Sequence, residues 1–166
     1  MNIAELSVAA KEVLTLLGKY HNAPHREMLI DPVLFAYLRG KHPPVERQHY
    51  VYRYGSERPQ RIDFRTGGTN PVVLEFAVRP PVGGGHLLGS QNTSELRKLC
   101  RVTRTSARLR ALLLMDLYHE PIERKNLQAT YAAVNAGRGR FQRNPVRVVY
   151  VHPDLSYSFA WDPYRT

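Results

Sequence analysis

Asp63 and Glu75 are the two acids of the stretch RIDFRTGGTNPVVLEFAVRP, residues 61 to 80. Each is set in an alternating apolar run of strand type, QRIDFRT and VVLEFAVR, and the turn-forming GGTNP, residues 67 to 71, separates the two runs. Ile62 and Phe64 must join the apolar face formed by Val72, Leu74, Phe76 and Val78, because a slip of one residue would turn that face to solvent. This register sets Asp63 opposite Glu75, with Cβ atoms ~5 Å apart. Carboxylates at that distance repel, and a divalent cation reverses the sign of the interaction. Magnesium commonly takes one or two carboxylates and completes its octahedron with water and substrate phosphate. The Phe76 carbonyl offers a further oxygen. The alternative is an ion-pair ladder on the solvated side of the sheet, in which Arg61, Arg65 and Arg79 neutralise both acids. Hairpin geometry by itself favours the ladder.

The elements that must position these acids are readable in outline. Residues 3 to 18 carry Ile3, Leu6, Ala10, Val13, Leu14 and Leu17 at helical spacing, with Gly18 as a stop. DPVLFAYLRG predicts a second helix, with Asp31 as N-cap and Pro32 at its first position. HYVYRYG reads as a strand, SERP as a turn, and the hairpin follows. PPVGGGHLLG, residues 80 to 89, has loop composition. The TSEL capping pattern predicts a helix from about Thr93. ARLRALLLMDLY has the continuous apolar centre of a strand buried on both faces. Pro121 opens the predicted helix PIERKNLQATYAAVN. GRGRFQRNP is a basic loop, VRVVYVH a strand, and SYSFAW an extension of the sheet. The fold class is mixed α/β: a central mixed sheet with a three-stranded antiparallel meander, flanked by helices.

Composition narrows the partners. The chain has 166 residues, a size that fits a single domain, 1–166, with a proper core. No apolar run reaches the ~20 residues of a membrane helix, and the N-terminus lacks the pattern of a signal peptide. A cytoplasmic protein with no membrane partner is the simplest expectation. The single cysteine, Cys100, excludes an internal disulfide and a Cys-based zinc site. The formal charge of +10 is carried mostly by arginine, since lysine occurs only at positions 11, 19, 41, 98 and 125. The arginine fork grips phosphate bidentately, so the surplus suits nucleic acid, and a solvated basic surface is the plain alternative.

The order helix, meander with Asp on its second strand and Glu on its third, then helix, strand, helix resembles the PD-(D/E)XK nuclease superfamily over roughly residues 3 to 151. The resemblance implies a restriction-endonuclease-like fold, with magnesium held by Asp63 and Glu75. It further implies a lysine that places or activates the attacking water. That lysine is expected at position 77, where this chain has Ala77. Three cations are candidates to replace it. Arg79 lies two residues on along the same strand face, Arg61 lies across from Ala77, and Lys98 lies on the next helix, to which the lysine has migrated in some members. Arginine fixes water or phosphate but is a poor proton acceptor. The functional expectation is a nucleic-acid-binding, nuclease-like protein that hydrolyses phosphodiesters with metal, DNA ahead of RNA. The alternative is a non-catalytic adaptor on the same fold, with a homodimer or another protein as partner.

Several other features have bland explanations. Gln91 reads as a helix-flanking polar residue. Glu5 and Glu12 read as solvated helix acids. Tyr50, Tyr52 and Tyr54 form a stripe that sheet packing explains better than base stacking. Arg138, Arg140 and Arg143, with Phe141, suit phosphate contact on the basic loop. Asp116, at the end of the apolar strand, either approaches an active edge or caps a turn. His21 and His25 are four apart, but Pro24 between them argues against a metal helix.

Overall fold

A computed structural model of the chain describes residues 1–18, 27–42, 44–53, 56–82, 87–103, 106–134 and 146–164. The elements run α1 (Ile3–Gly18), α2 (Glu27–Lys41), β1 (Val45–Arg53), β2 (Ser56–Thr66), β3 (Val72–Arg79), α3 (Ser90–Cys100), β4 (Leu109–Asp116), α4 (Arg124–Ala132), β5 (Val146–Val151) and β6 (Phe159–Trp161), with a 3₁₀ turn (Leu155–Tyr157) before the last strand. The strands form one mixed sheet in the order β1-β2-β3-β4-β5-β6. Pairing is antiparallel for β1–β2, β2–β3 and β5–β6, and parallel for β3–β4 and β4–β5.

Alternation along the central strands divides the interior into two cores. Ala111, Leu113 and Met115 of β4 point to the side of α1 and α2, where Leu6, Val13, Leu14, Leu34 and Leu38 meet them. Leu112 and Leu114 point to the side of α3 and α4, against Leu96, Leu99, Leu127 and Tyr131. Continuous apolar runs suit strands covered on both faces. The same division applies to β3: Leu74 and Phe76 enter the first core, Val73 and Ala77 the second. Glu75 lies between Val73 and Ala77 on the α3 side. That side is covered, so the solvated face that an ion-pair ladder requires does not exist at Glu75.

Several boundaries depart from the sequence expectation. α2 begins at Glu27 with Pro32 inside it, and Asp31 pairs with Arg47 of β1 at 2.5 Å instead of capping the helix. α3 begins at Ser90, with Gly89 as an N-cap that makes no side-chain bond, and the Thr93 hydroxyl donates back to the Ser90 carbonyl at 2.9 Å. α4 begins at Arg124, after Pro121. The β1–β2 hairpin is longer than expected, because β2 already starts at Ser56 and the SERP segment belongs to the strand. Its register shifts between Val51 and Arg53, beside Pro59, which has no N–H to give the ladder. The turn between β2 and β3 is pinned by the Thr66 hydroxyl, which accepts from the Val72 amide at 2.9 Å, and by the Gly67 amide, which donates to the Pro44 carbonyl at 2.7 Å. A Cβ at Gly67 would stand 2.4 Å from Pro44 Cγ, so this close approach requires glycine.

Candidate functional site

The β2–β3 ladder consists of Phe64 opposite Leu74 and Arg65 opposite Val73. Continued by one pair, it places Asp63 opposite Glu75. At that point the side chain of Asp63 takes over from the backbone, and its Oδ2 accepts the amide proton of Phe76 at 3.0 Å. The hairpin arm beyond diverges from β3. Phe64 packs in the α1/α2 core, whereas Ile62, on the same pleat face, packs in the α3/α4 core. A cavity of about 680 Å³ opens in the wedge between this arm and α3.

Asp63 and Glu75 both line the cavity. Glu75 is 2% exposed. Burial pushes its carboxyl up to about 9, and the Asp63 carboxyl beside it, a charge neighbour and hydrogen-bond partner, pushes the same way. The Lys98 ammonium touches Glu75 Oε1. It opposes the rise and is outweighed. Oε1 accepts no well-oriented hydrogen bond.

Lys98 is held from three sides. Besides Glu75, its Nζ meets Glu95 Oε2 at 2.5 Å and donates to the Arg61 carbonyl at 3.1 Å. Burial alone would lower its pKa, but Glu75 and Glu95 more than compensate, and the ammonium is held above its ordinary value. Lys98 is therefore a hydrogen-bond donor and a charge, not a resting base.

The other sequence candidates are distributed as follows. Arg61 lines the cavity with an exposed side chain. Arg79 lies elsewhere: its Nε and Nη2 grip Asp116 Oδ1 and Oδ2, each at 2.6 Å, and it does not line the cavity. Of the three cations that could stand in for the lysine at position 77, only Lys98 touches Glu75. Arg65 lies 3.6 Å from Glu46. Gln91 lines the cavity mouth. Glu5 caps α1, where it bonds the Asn2 amide at 2.7 Å, on the other side of the sheet. Arg138, Arg140 and Arg143, like His21, His25 and Tyr54, lie outside the described residues.

Some residues of the site were not singled out from sequence. Glu95 buttresses Lys98 from one helical turn away, and the Glu-x-x-Lys spacing is a signal for it. Arg97 and Arg101 repeat at i, i+4 on α3 and rim the cavity with Arg53. Gln48 also lines it, with φ +53°, a left-handed backbone in mid-strand. The register places it opposite Asp63, between Arg47–Phe64 and His49–Ile62. No sequence signal marks that strain.

Among the described residues, no group of three or more His, Cys, Asp or Glu gathers as a metal-binding set. The donor set at this point is two facing carboxyls. A hard divalent cation needs no more than that from protein when water and phosphate complete its shell. A buried carboxyl whose pKa is raised, facing a second carboxyl across a cavity, suits exchange of its proton for such a cation. The residues fit the group.

No protein-family model matches the chain, and no curated protein matches it. Among solved structures, it is similar to SfsA of Pyrococcus furiosus, determined in complex with Ca2+, at 14% identity and a TM-score of 0.35. That match covers 79% of this chain and 61% of SfsA, so the chain spans under two thirds of its length. Among the described residues, no helix is long and apolar enough to cross a membrane.

Proposed function

We propose that this chain is a nucleic-acid-binding domain of restriction-endonuclease-like arrangement that hydrolyses phosphodiester bonds, with DNA ahead of RNA. In this reading, magnesium is held by Asp63 and Glu75. The observation that carries it is the buried Glu75 carboxyl, facing the half-buried Asp63 and touched by Lys98, in a cavity also lined by Arg53, Arg61, Arg97 and Arg101.

When bound, the cation supplies a Lewis acid and a template for the phosphate. The side chains do the rest. Asp63 and Glu75 provide the negative charge that draws a cation into a basic cavity, and Glu75 gives up its proton in doing so. Lys98 keeps its proton and sets a fixed positive charge beside the attacking water or a phosphate oxygen, in the role the family gives to a strand lysine. Arg61, Arg97 and Arg101 hold the flanking phosphates. Ala77 leaves the strand position empty of cation, and the ammonium reaches the same acid from α3.

Titration calorimetry with magnesium and manganese tests the reading. The wild type should show binding heat, with proton release that varies with the buffer's ionisation enthalpy. Asp63→Asn and Glu75→Gln should lose the heat and reduce cleavage of a labelled oligonucleotide to background. Lys98→Ala should keep most of the heat and lose roughly 10²–10³-fold in cleavage rate, as removal of one donor to a developing charge does. Identical heats for wild type and Glu75→Gln would replace this reading with the non-catalytic adaptor.

A further inference from the structure

Arg53 and Arg101 both line the cavity, and the fold brings them together from distant parts of the chain. Arg101 is the C-cap of α3. Arg53 ends β1 and forms an isolated antiparallel bridge with Val102, the residue after Arg101. The backbone around that bridge is held: the Thr103 amide donates to the Tyr52 carbonyl at 3.0 Å, and the buried Arg110 guanidinium donates to the Val102 carbonyl. Both Arg53 and Arg101 are half-buried. Burial and the neighbouring Arg101 charge hold the Arg53 guanidinium below its ordinary pKa. Among the described residues, neither side chain makes an ion pair, and the Nε of each is buried without a hydrogen-bond partner. The acids of the cavity are engaged elsewhere: Glu75 and Glu95 meet Lys98, and Asp63 accepts from the Phe76 amide. Arginines that hold the fold together are paired, as Arg79 is with Asp116 and Arg147 with Asp162. Two adjacent guanidiniums facing a cleft without an acid are the complement of an anion.

Building on the reading of the acid cluster as a nucleic-acid site, we propose that Arg53 and Arg101 form a subsite for a phosphate monoester, the terminal phosphate of the strand whose ester lies at the acids. An arginine fork takes two phosphate oxygens. An internal phosphodiester has one charge and two free oxygens, which satisfy one fork. A terminal phosphate has three free oxygens and a charge of about −1.5 to −2, which answer two. Arg101 follows Lys98 by one turn of α3, a rise of ~4.5 Å, and Lys98 touches Glu75. The end of the strand is thus held close to the acids. The substrate class is a strand with a phosphorylated end, cut near that end.

The test measures binding in EDTA, so that cleavage plays no part. The probes are one labelled oligonucleotide with hydroxyl ends, with a 5′ phosphate, with a 3′ phosphate, and with the preferred phosphate capped as its methyl diester. One phosphorylated form should bind about 10- to 100-fold tighter than the hydroxyl-ended strand, the range of one charge-assisted hydrogen bond. The methyl cap should remove most of that advantage. Arg53→Gln and Arg101→Gln should each bring the ratio of the two affinities close to one. Arg97→Gln, at an exposed position of the lining, should weaken both probes and keep the ratio. If a glutamine variant does not fold, Arg53→Lys or Arg101→Lys replaces it: the charge stays, the fork goes, and the ratio should still fall. A ratio near one in the wild type, an undiminished ratio in folded variants, or a capped strand that binds as tightly as the free phosphate would each overturn the proposal. So would equally tight binding of the matching mononucleotide, which would make a free nucleotide the ligand. Magnesium heat with equal cleavage of hydroxyl-ended and phosphorylated strands would leave the acid-site reading standing and remove this one. A preference for the phosphorylated end without magnesium heat or cleavage would do the reverse.

Discussion

Glu75 and Asp116 are both buried acids on neighbouring parallel strands, and each touches one basic side chain. Asp116 is saturated. It accepts from Arg79 Nε and Nη2 at 2.6 Å each, from the Tyr150 hydroxyl at 2.5 Å and from the Tyr118 amide at 3.1 Å. Arg79 in turn reaches the Glu120 carbonyl and lies 4.8 Å from the centre of the Tyr118 ring. Nothing in that cluster faces the cavity. Glu75 has an ammonium, a second acid and an open cleft. The first arrangement joins the ends of β3, β4 and β5. The second is short of positive charge and hydrogen bonds, and has room for a ligand to supply them. Burial of an acid beside a base is common to both, so it does not mark a functional site. Incomplete satisfaction next to space does.

Mutations can break this contrast, and the largest effect belongs to the saturated acid. Asp116→Ala strands Arg79 and should cost about 3–5 kcal/mol in urea unfolding, whereas Glu75→Gln keeps the neutral form that the fold favours and should leave the protein at least as stable as wild type at pH 7. Similar losses in both would mean that Glu75 is as structural as Asp116. Next in size, Arg79→Lys gives up the two-pronged grip and should cost about 1.5–3 kcal/mol in the same assay. Lys98→Arg keeps its charge at the cavity wall and should unfold near the wild-type midpoint. The last contrast is a slope in pH. Glu75 holds its proton to about pH 9 in the fold and loses it near 4.5 when unfolded. Its contribution is therefore complete below pH 4.5, falls by up to about 1.4 kcal/mol per pH unit as pH rises toward 9, and then levels off. Urea midpoints between pH 5 and 9 should show that decline in wild type and a flatter course in Glu75→Gln.

The sequence carried unequal information about these two acids. The pairing of Phe64 with Leu74 is legible because alternation and turn length leave β2 and β3 one register that buries both apolar faces. β4 and β5 are legible because continuous apolar runs need cover on both sides. The hairpin arm is longer than its composition predicts. ERQ and SERPQ are polar and do not alternate, and here pairing of the first with Phe64 and Arg65, and of the second with Val51 and Arg53, outweighs composition. TSEL has the form of a cap and points to a start near Thr93, whereas the helix begins at Ser90 and carries TSEL inside it. Arg79 shares a strand face with Glu75 in sequence, but its partner comes from β4, which only the tertiary fold brings alongside. Lys98 could be listed as a candidate from its helix, but its selection over Arg61 and Arg79 depends on where α3 crosses the sheet.

The amide proton of Phe76 is the point at which the sheet's ladder passes to a side chain, since it bonds Asp63 Oδ2 and not a carbonyl of β2. This gives the cluster a resident probe. In a nitrogen–proton correlation spectrum, that one resonance should move when Asp63 is neutralised by mutation or engaged by an ion. The amides of β3 that lie in its parallel ladder with β4 should move less. Its hydrogen–deuterium exchange should follow the same events. A single peak would then report the occupancy of the acid pair without label, substrate or turnover.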